Sequence, residues 1–253
     1  MELNYNQVDF LKNIAIEKYI DEIMDHWESN FPGFILLQKD KDIKSYINQG
    51  ISIAKKYGYT QRGSVRLYID MMIMFGVNFE RDPLFQWLIE KEKSSQIERS
   101  VKSHMLLTGY FEKVYGDNGC FFKESINNFK EFSEKYLPVK IDITNKELHE
   151  MLKYIYPQRY DFVGTDAIDN LIFLSESKKY KLKHSRHRSY LVIIMFLFGC
   201  SFEQDFFRSR FILEPLMKYL NNEHICNHNT IVSCYESFQV TIPVLKSSQE
   251  MIN

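Results

Sequence analysis

The sequence predicts an all-α protein, a helical bundle with a pseudo-repeat of a three-helix unit. Glycine and proline, the residues that interrupt helices, number only 10 and 6 among 253 residues. Apolar residues recur at spacings of three and four along most of the chain, the period of a helix with one buried face. In addition, the chain matches itself at an offset of 123 residues, and the identities fall where helices end: Lys55-Lys56-Tyr57 on Lys178-Lys179-Tyr180, and Phe75-Gly76 on Phe198-Gly199.

Each element has its own justification. In the first helix Phe10, Leu11, Ile14, Tyr19, Ile20, Ile23, Met24 and Trp27 trace one broad stripe. Pro32-Gly33 stops it. A second helix is expected from Asp42 to Tyr57, with Ile43, Tyr46, Ile47, Ile51 and Ala54 inward and Gly58 as terminator. A third covers Ser64 to Phe75 and ends at Gly76. Asp82-Pro83 reads as a cap followed by proline at the first helical position, opening a helix through Trp87 and Leu88. Another helix spans Ser95 to Tyr115. The next carries Phe122, Ile126, Phe129, Phe132 and Tyr136 and ends before Pro138. Val139 to Ile143 alternates and reads as a short extended link. Thr144 with Glu147 forms a capping box that opens a further helix. The chain then continues helically past Asp166, Arg188 and Asp205, with a last segment from Asn229 to Phe238.

The offset also pairs Ser52 with Ser175, Met72 with Met195, Phe79-Glu80 with Phe202-Glu203 and Asp82 with Asp205. These identities divide the chain into an N-terminal half, 1–138, and a C-terminal half, 139–253, packed as one unit. Two copies are too few for a long solenoid.

Composition narrows the function classes. Basic and acidic side chains number 32 and 33, which argues against a bulk electrostatic nucleic-acid binder. The N-terminus lacks the basic start and apolar run of a secretory signal. The most apolar stretch, Tyr190 to Cys200, is about half the ~20 residues of a bilayer span and reads as a buried helix. Cys120, Cys200, Cys226 and Cys234 are scattered, as expected of reduced thiols in a cytoplasmic protein.

Four constellations carry candidate chemistry. Glu17, Asp21, Asp25 and Glu28, with Glu22 beside them, line one face of the first helix. Such a face either mimics nucleic-acid charge and docks on a basic nuclease or is the wet side of an amphipathic helix. Lys178, Lys179, Lys181, Lys183, Arg186 and Arg188, with His184 and His187, form a dense basic run that is either a solvated turn or a contact for an acidic partner. His224, Cys226 and His228, with Cys234 downstream, have metal-ligand chemistry but match no common zinc spacing, so no metal is expected. Glu147-Leu148-His149-Glu150 lacks the Glu-x-x-His spacing of a helical di-iron site. Phosphate-binding glycine loops, HExxH and GxSxG are all absent. No catalytic residue or cofactor is assigned. The partner-contact candidates are Glu17, Asp21, Glu22, Asp25, Lys183, Arg186 and Arg188.

One segment carries a family resemblance. Gly50-Ile51-Ser52-Ile53-Ala54-Lys55-Lys56-Tyr57-Gly58-Tyr59, then Leu67-Tyr68-Ile69-Asp70-Met71-Met72, Phe75-Gly76, Phe79, Asp82-Pro83 and Trp87, with His26 and Phe31-Pro32 ahead, resemble helical bacterial proteins encoded near type VI secretion spike and effector genes. The resemblance covers roughly residues 10 to 90. Gln86-Trp87 departs from the Pro-Trp usual there, which puts the local turn in doubt. The resemblance implies a cytoplasmic accessory or immunity protein, one that binds and occludes a cognate antibacterial toxin; the charge balance and the short apolar stretch add the expectation of no nucleic-acid or membrane partner. An adaptor that loads an effector and a helical enzyme are the alternatives. A deep polar pocket with clustered acid–base groups would mark the enzyme.

Overall fold

A computed structural model describes residues 4–36, 38–88, 94–135, 143–178, 185–220 and 228–237, and the regular elements among them are all helical. α1 (Tyr5–Asn30) opens on a capping box: the Asn4 side chain accepts from the Gln7 N–H while the Gln7 amide oxygen accepts from the Asn4 N–H. After the single turn α2 (Pro32–Leu36), α3 (Asp40–Lys56) has aspartates in its first turn and lysines in its last, the arrangement that complements the helix dipole. α4 (Arg62–Phe75) ends at Gly76, whose φ of 101° is adopted at little cost only by a residue without a Cβ.

The helix expected to open at Asp82-Pro83 does not form. The chain makes turns there and a short 3-10 segment at Gln86–Leu88. The reason is local: the Trp87 indole N–H donates to the Leu84 carbonyl at 2.8 Å, the acceptor that an α-helix would give to the Leu88 N–H. Leu88 bonds Phe85 instead.

α5 (Gln96–Tyr110) starts with the Ser95/Glu98 capping box and widens into a π-helical turn, Phe111–Tyr115, before Gly116. α6 (Cys120–Lys135) buries the expected Phe122, Ile126, Phe129 and Phe132, and Tyr136 lies outside the described residues. The Thr144/Glu147 capping box opens α7 (Asn145–Ile155) as its sequence foretold. Of the extended link read at 139–143, residues 139–142 lie outside the described residues. α8 (Pro157–Val163), α9 (Thr165–Glu176), α10 (Ser185–Phe198), α11 (Phe206–Leu220) and α12 (His228–Ser237) complete the bundle. Ser189 to Cys200 is buried at every residue, making α10 the central helix. Among the described residues, no helix is long and apolar enough to cross a membrane.

The two Phe-Gly turns meet back to back in the middle. A Cβ on Gly76 would stand 3.3 Å from the Phe198 carbonyl oxygen, and one on Gly199 would stand 2.6 Å from that of Phe75. Beyond each glycine, the next amide is held by the other turn's aspartate. The Cys200 N–H donates to Asp82 Oδ2 at 2.5 Å and the Val77 N–H to Asp205 Oδ2 at 3.2 Å. The second oxygen of each aspartate caps its own chain: Asp82 Oδ1 takes the Leu84 N–H, and Asp205 Oδ1 takes those of Phe207 and Arg208. Two buried arginines then satisfy helix-end carbonyls, Arg208 those of Met72 and Ile73 in α4, and Arg159 that of Leu197 in α10.

Glycines, amides and aspartates all correspond at the 123-residue offset. The correspondence stops short of a third helix, since α11 follows Asp205 while turns follow Asp82. Arg208 occupies the position equivalent to Phe85, so the two segments serve the core with different side chains. The boundary expected at 138 lies outside the described residues; α12 packs on α6 and α2, and α6 on α7, so contacts cross it.

Candidate partner-binding surface

α1, 26 residues long, packs on α2 and α3 and is tied by side-chain hydrogen bonds to α4, which has 14. The Tyr19 hydroxyl donates to the Arg62 carbonyl, and His26 and Trp27 reach Asp70. The near-constant separation of 43 or 44 residues in these pairs means that α1 and α4 run side by side in the same direction. The stretch of α1 before Tyr19 therefore projects past the start of α4 by roughly 20 Å at 1.5 Å per residue. From Phe10 to Lys18 every side chain is exposed. The inward stripe expected of α1 is thus half right: Ile20, Ile23 and Trp27 are buried, but Phe10, Leu11 and Ile14 are 65%, 50% and 46% exposed. They lie at i, i+1 and i+4, on one side of the projecting arm. The signal lies in the helical phase: at about 100° per residue Phe10, Leu11 and Ile14 point to roughly the opposite side of α1 from Ile20, Ile23 and Trp27.

The acidic candidates sort into two groups. Asp21 pairs with Lys44 at 2.8 Å and Glu22 with Arg62, so both tie α1 to its neighbours. Glu17, Asp25 and Glu28 are exposed and, among the described residues, make no ion pair. Only the second group is free to meet a partner.

Asp70 holds the base of the arm. Its oxygens accept from His26 Nε2 at 3.1 Å and Trp27 Nε1 at 2.9 Å, while Asn30 Nδ2 meets His26 Nδ1 at 2.8 Å. Both imidazole nitrogens are engaged, so this His–Asp pair positions α1 and offers no open base. Tryptophan follows the same rule. Trp27 is fully buried and Trp87 is half-buried against Tyr110 and Phe162, so neither is an exposed contact residue. The exposed aromatic on the arm is Phe10.

A groove of about 210 Å³ runs beside this base between α4 and α5, and Gln61, Arg66, Asp70, Ser100 and His104 are its polar walls. Leu67, Ile97 and Val101 supply the apolar ones. The Gln96 amide oxygen holds the Thr60 and Gln61 N–H groups, and Ser100 donates to Ser64, which fixes α5 against the start of α4. Arg66 and His104 are ordinary helix residues in the sequence until the two helices are brought together. The groove contains the residue types of acid–base chemistry, but its carboxylate is committed to the two donors of α1.

Burial lowers the His104 pKa below its ordinary 6.5. The unfolded chain then binds the proton more tightly than the folded one, so stability is complete above pH 6.5 and falls as pH drops through that value. Urea midpoints between pH 7.5 and 5.5 should decline less steeply in His104→Gln than in the native chain; parallel declines would contradict the assignment.

The basic run is not one surface. Lys178 donates to the Cys200 carbonyl and pairs with Glu203 at 2.6 Å, anchoring the chain beside the central turns. Arg188 pairs with Glu176 at 3.0 Å and with Asn145, and His187 is buried. All three are engaged within the fold, Arg188 and His187 in the first turn of α10 and Lys178 just after α9. Lys179, Lys181, Lys183 and His184 lie outside the described residues, as does the side chain of Arg186, whose backbone starts α10. His224, Cys226 and the side chain of His228 likewise lie outside them. Cys234 is buried in α12, where burial pushes its thiol up to about 12. No cluster of three metal-ligand side chains occurs among the described residues. His149 bonds Tyr160 at 2.7 Å and Asp169 at 3.0 Å, joining α7, α8 and α9.

The exposed face of α1 with its uncommitted acids is the candidate surface, and the groove lies beside the base of the arm. Against known proteins, no family, curated relative or solved structure matches this chain.

Proposed function

We propose that the protein acts by binding another macromolecule through this surface, and that the partner is a secreted antibacterial toxin which it neutralises by occlusion. One observation carries the binding part: a helical arm exposes Phe10, Leu11 and Ile14 together while its base is locked to the core by Asp70. Contiguous exposed apolar side chains on a rigid element are costly in water and suit an interface centre. Glu17 and Asp25, uncommitted beside the stripe, suit a basic partner and would speed its encounter. The groove offers a socket for one anchoring side chain. The toxin part rests on the resemblance of residues 10 to 90 to proteins encoded beside type VI effectors.

Co-expression with the product of the adjacent gene tests both parts. The two chains should co-purify, and the pair should restore growth that the effector alone abolishes. Phe10→Ser, Leu11→Ser and Ile14→Ser combined should weaken the complex at least about 100-fold and remove protection, with the thermal midpoint changed little because these side chains are exposed. A complex that forms without protection would shift the reading to an effector-loading adaptor. No complex at all would end the binding reading.

A further inference from the structure

Beneath the meeting point of the two turns lies a second cavity, of about 40 Å³, whose wall includes Tyr110, Tyr156, Arg159, Arg208 and Tyr235. Arg159 is 5% exposed. Phe85 and Phe196 stand 5.1 and 5.2 Å from its guanidinium carbon, each with the charge over its ring, so aromatic surface borders the charged group. One nitrogen, Nη1, donates to the Leu197 carbonyl. The other two, Nε and Nη2, make no hydrogen bond of normal geometry among the described residues, although the Tyr235 hydroxyl stands close enough to interact with the guanidinium. Asp82 acts on Arg159 through space but makes no ion pair with it there; its oxygens hold the Cys200 and Leu84 amides.

That pattern is chemically specific. Nε and Nη2 form the side edge of a guanidinium, two parallel donors whose spacing matches two oxygens of one planar oxyanion. A buried charge left in this condition is expensive, and a buried donor without an acceptor adds to the cost. Water needs roughly 10–15 Å³ of such space per molecule, so the cavity has room for about three or four heavy atoms. The surrounding tyrosines reinforce the preference. Burial raises the pKa of Tyr110, Tyr156 and Tyr235, which keeps their hydroxyls protonated, and Tyr156 already donates to the Val114 carbonyl. Arg208, on the same wall, adds positive potential while paired with Asp205 at 2.6 Å.

We infer that this cavity binds a small planar oxyanion, of the size of formate, acetate, bicarbonate or nitrate, held side-on by Nε and Nη2 of Arg159. The anion completes the core between the ends of α4 and α10. Met74, partly exposed and on the wall, marks the side from which it exchanges with solvent.

The test uses the full chain with sodium formate as the probe and sodium gluconate, too large for the cavity, at equal ionic strength. Formate should raise Tm saturably by about 2–4 °C, and gluconate should not. Arg159→Lys keeps the charge but loses the paired edge, and its Tm should be equal in the two salts. Should that variant fail to fold, crystals of the native protein soaked in formate supply the second measurement, in which a planar three-atom density should lie against the Arg159 edge. Equal melting of the native protein in both salts, a formate response retained in Arg159→Lys, or only separate solvent peaks in the soaked crystal would each overturn the proposal and leave water as the occupant.

Discussion

Asp205→Ala is expected to destabilise the protein by about 3–5 kcal/mol, out of the 5–15 kcal/mol typical of a domain. Asp205 is 0% exposed and Arg208 2%. The aspartate accepts from Arg208 Nη1 at 2.6 Å, from the Val77 amide at the far turn, from the Tyr46 hydroxyl on α3, and from two amides at the start of α11. Removing it leaves a guanidinium in the core without its countercharge and several donors without an acceptor. That is a different event from deleting a surface ion pair, which is worth at most about 1 kcal/mol. Asp21→Ala supplies that control, since its pair with Lys44 is exposed. Urea unfolding of the two variants should separate them clearly. A loss below about 1 kcal/mol in Asp205→Ala would contradict the central role given to this residue.

Gly199→Ala is expected to cost a further large amount, about 3 kcal/mol or more, for two reasons that add. Its φ is 90°, in the region that L side chains avoid, and the new Cβ would meet the Phe75 carbonyl oxygen at 2.6 Å. That oxygen belongs to the backbone of the opposite turn, so it cannot swing aside as a side chain would. Gly63→Ala is the contrast. Gly63 sits in the first turn of α4 with nothing near its missing Cβ, and there the change should be neutral or stabilising by up to about 1 kcal/mol. Thermal melting of both variants decides the matter: similar midpoints would mean that the turns are not packed as tightly as their geometry states.

These two residues also show how far the sequence could be read. The offset of 123 residues brought out Gly199 and Asp205 beside Gly76 and Asp82 because helix ends need particular residues, and such needs are visible one residue at a time. What each aspartate does with its Oδ2 was not legible, since the acceptor and the amide are 118 residues apart in one case and 128 in the other. The failed helix after Pro83 has a similar cause. Cap and proline are helix-opening residues, but an indole seated against Tyr110 and Phe162 takes the carbonyl that the helix requires. For the candidate surface, charge was the legible part and commitment was not. Asp21 and Asp25 are equivalent on a helical wheel, yet Asp21 has Lys44 within reach and Asp25 makes no ion pair among the described residues. Tertiary neighbours decide which charges remain free.

The arm of α1 has one more consequence. Because its side chains from Phe10 to Lys18 touch little of the core, replacing them alters stability by no more than a few tenths of a kcal/mol each, about ±0.5. Substitutions in this stretch can therefore accumulate over generations and leave the frame intact. The molecule separates what must be kept from what can drift.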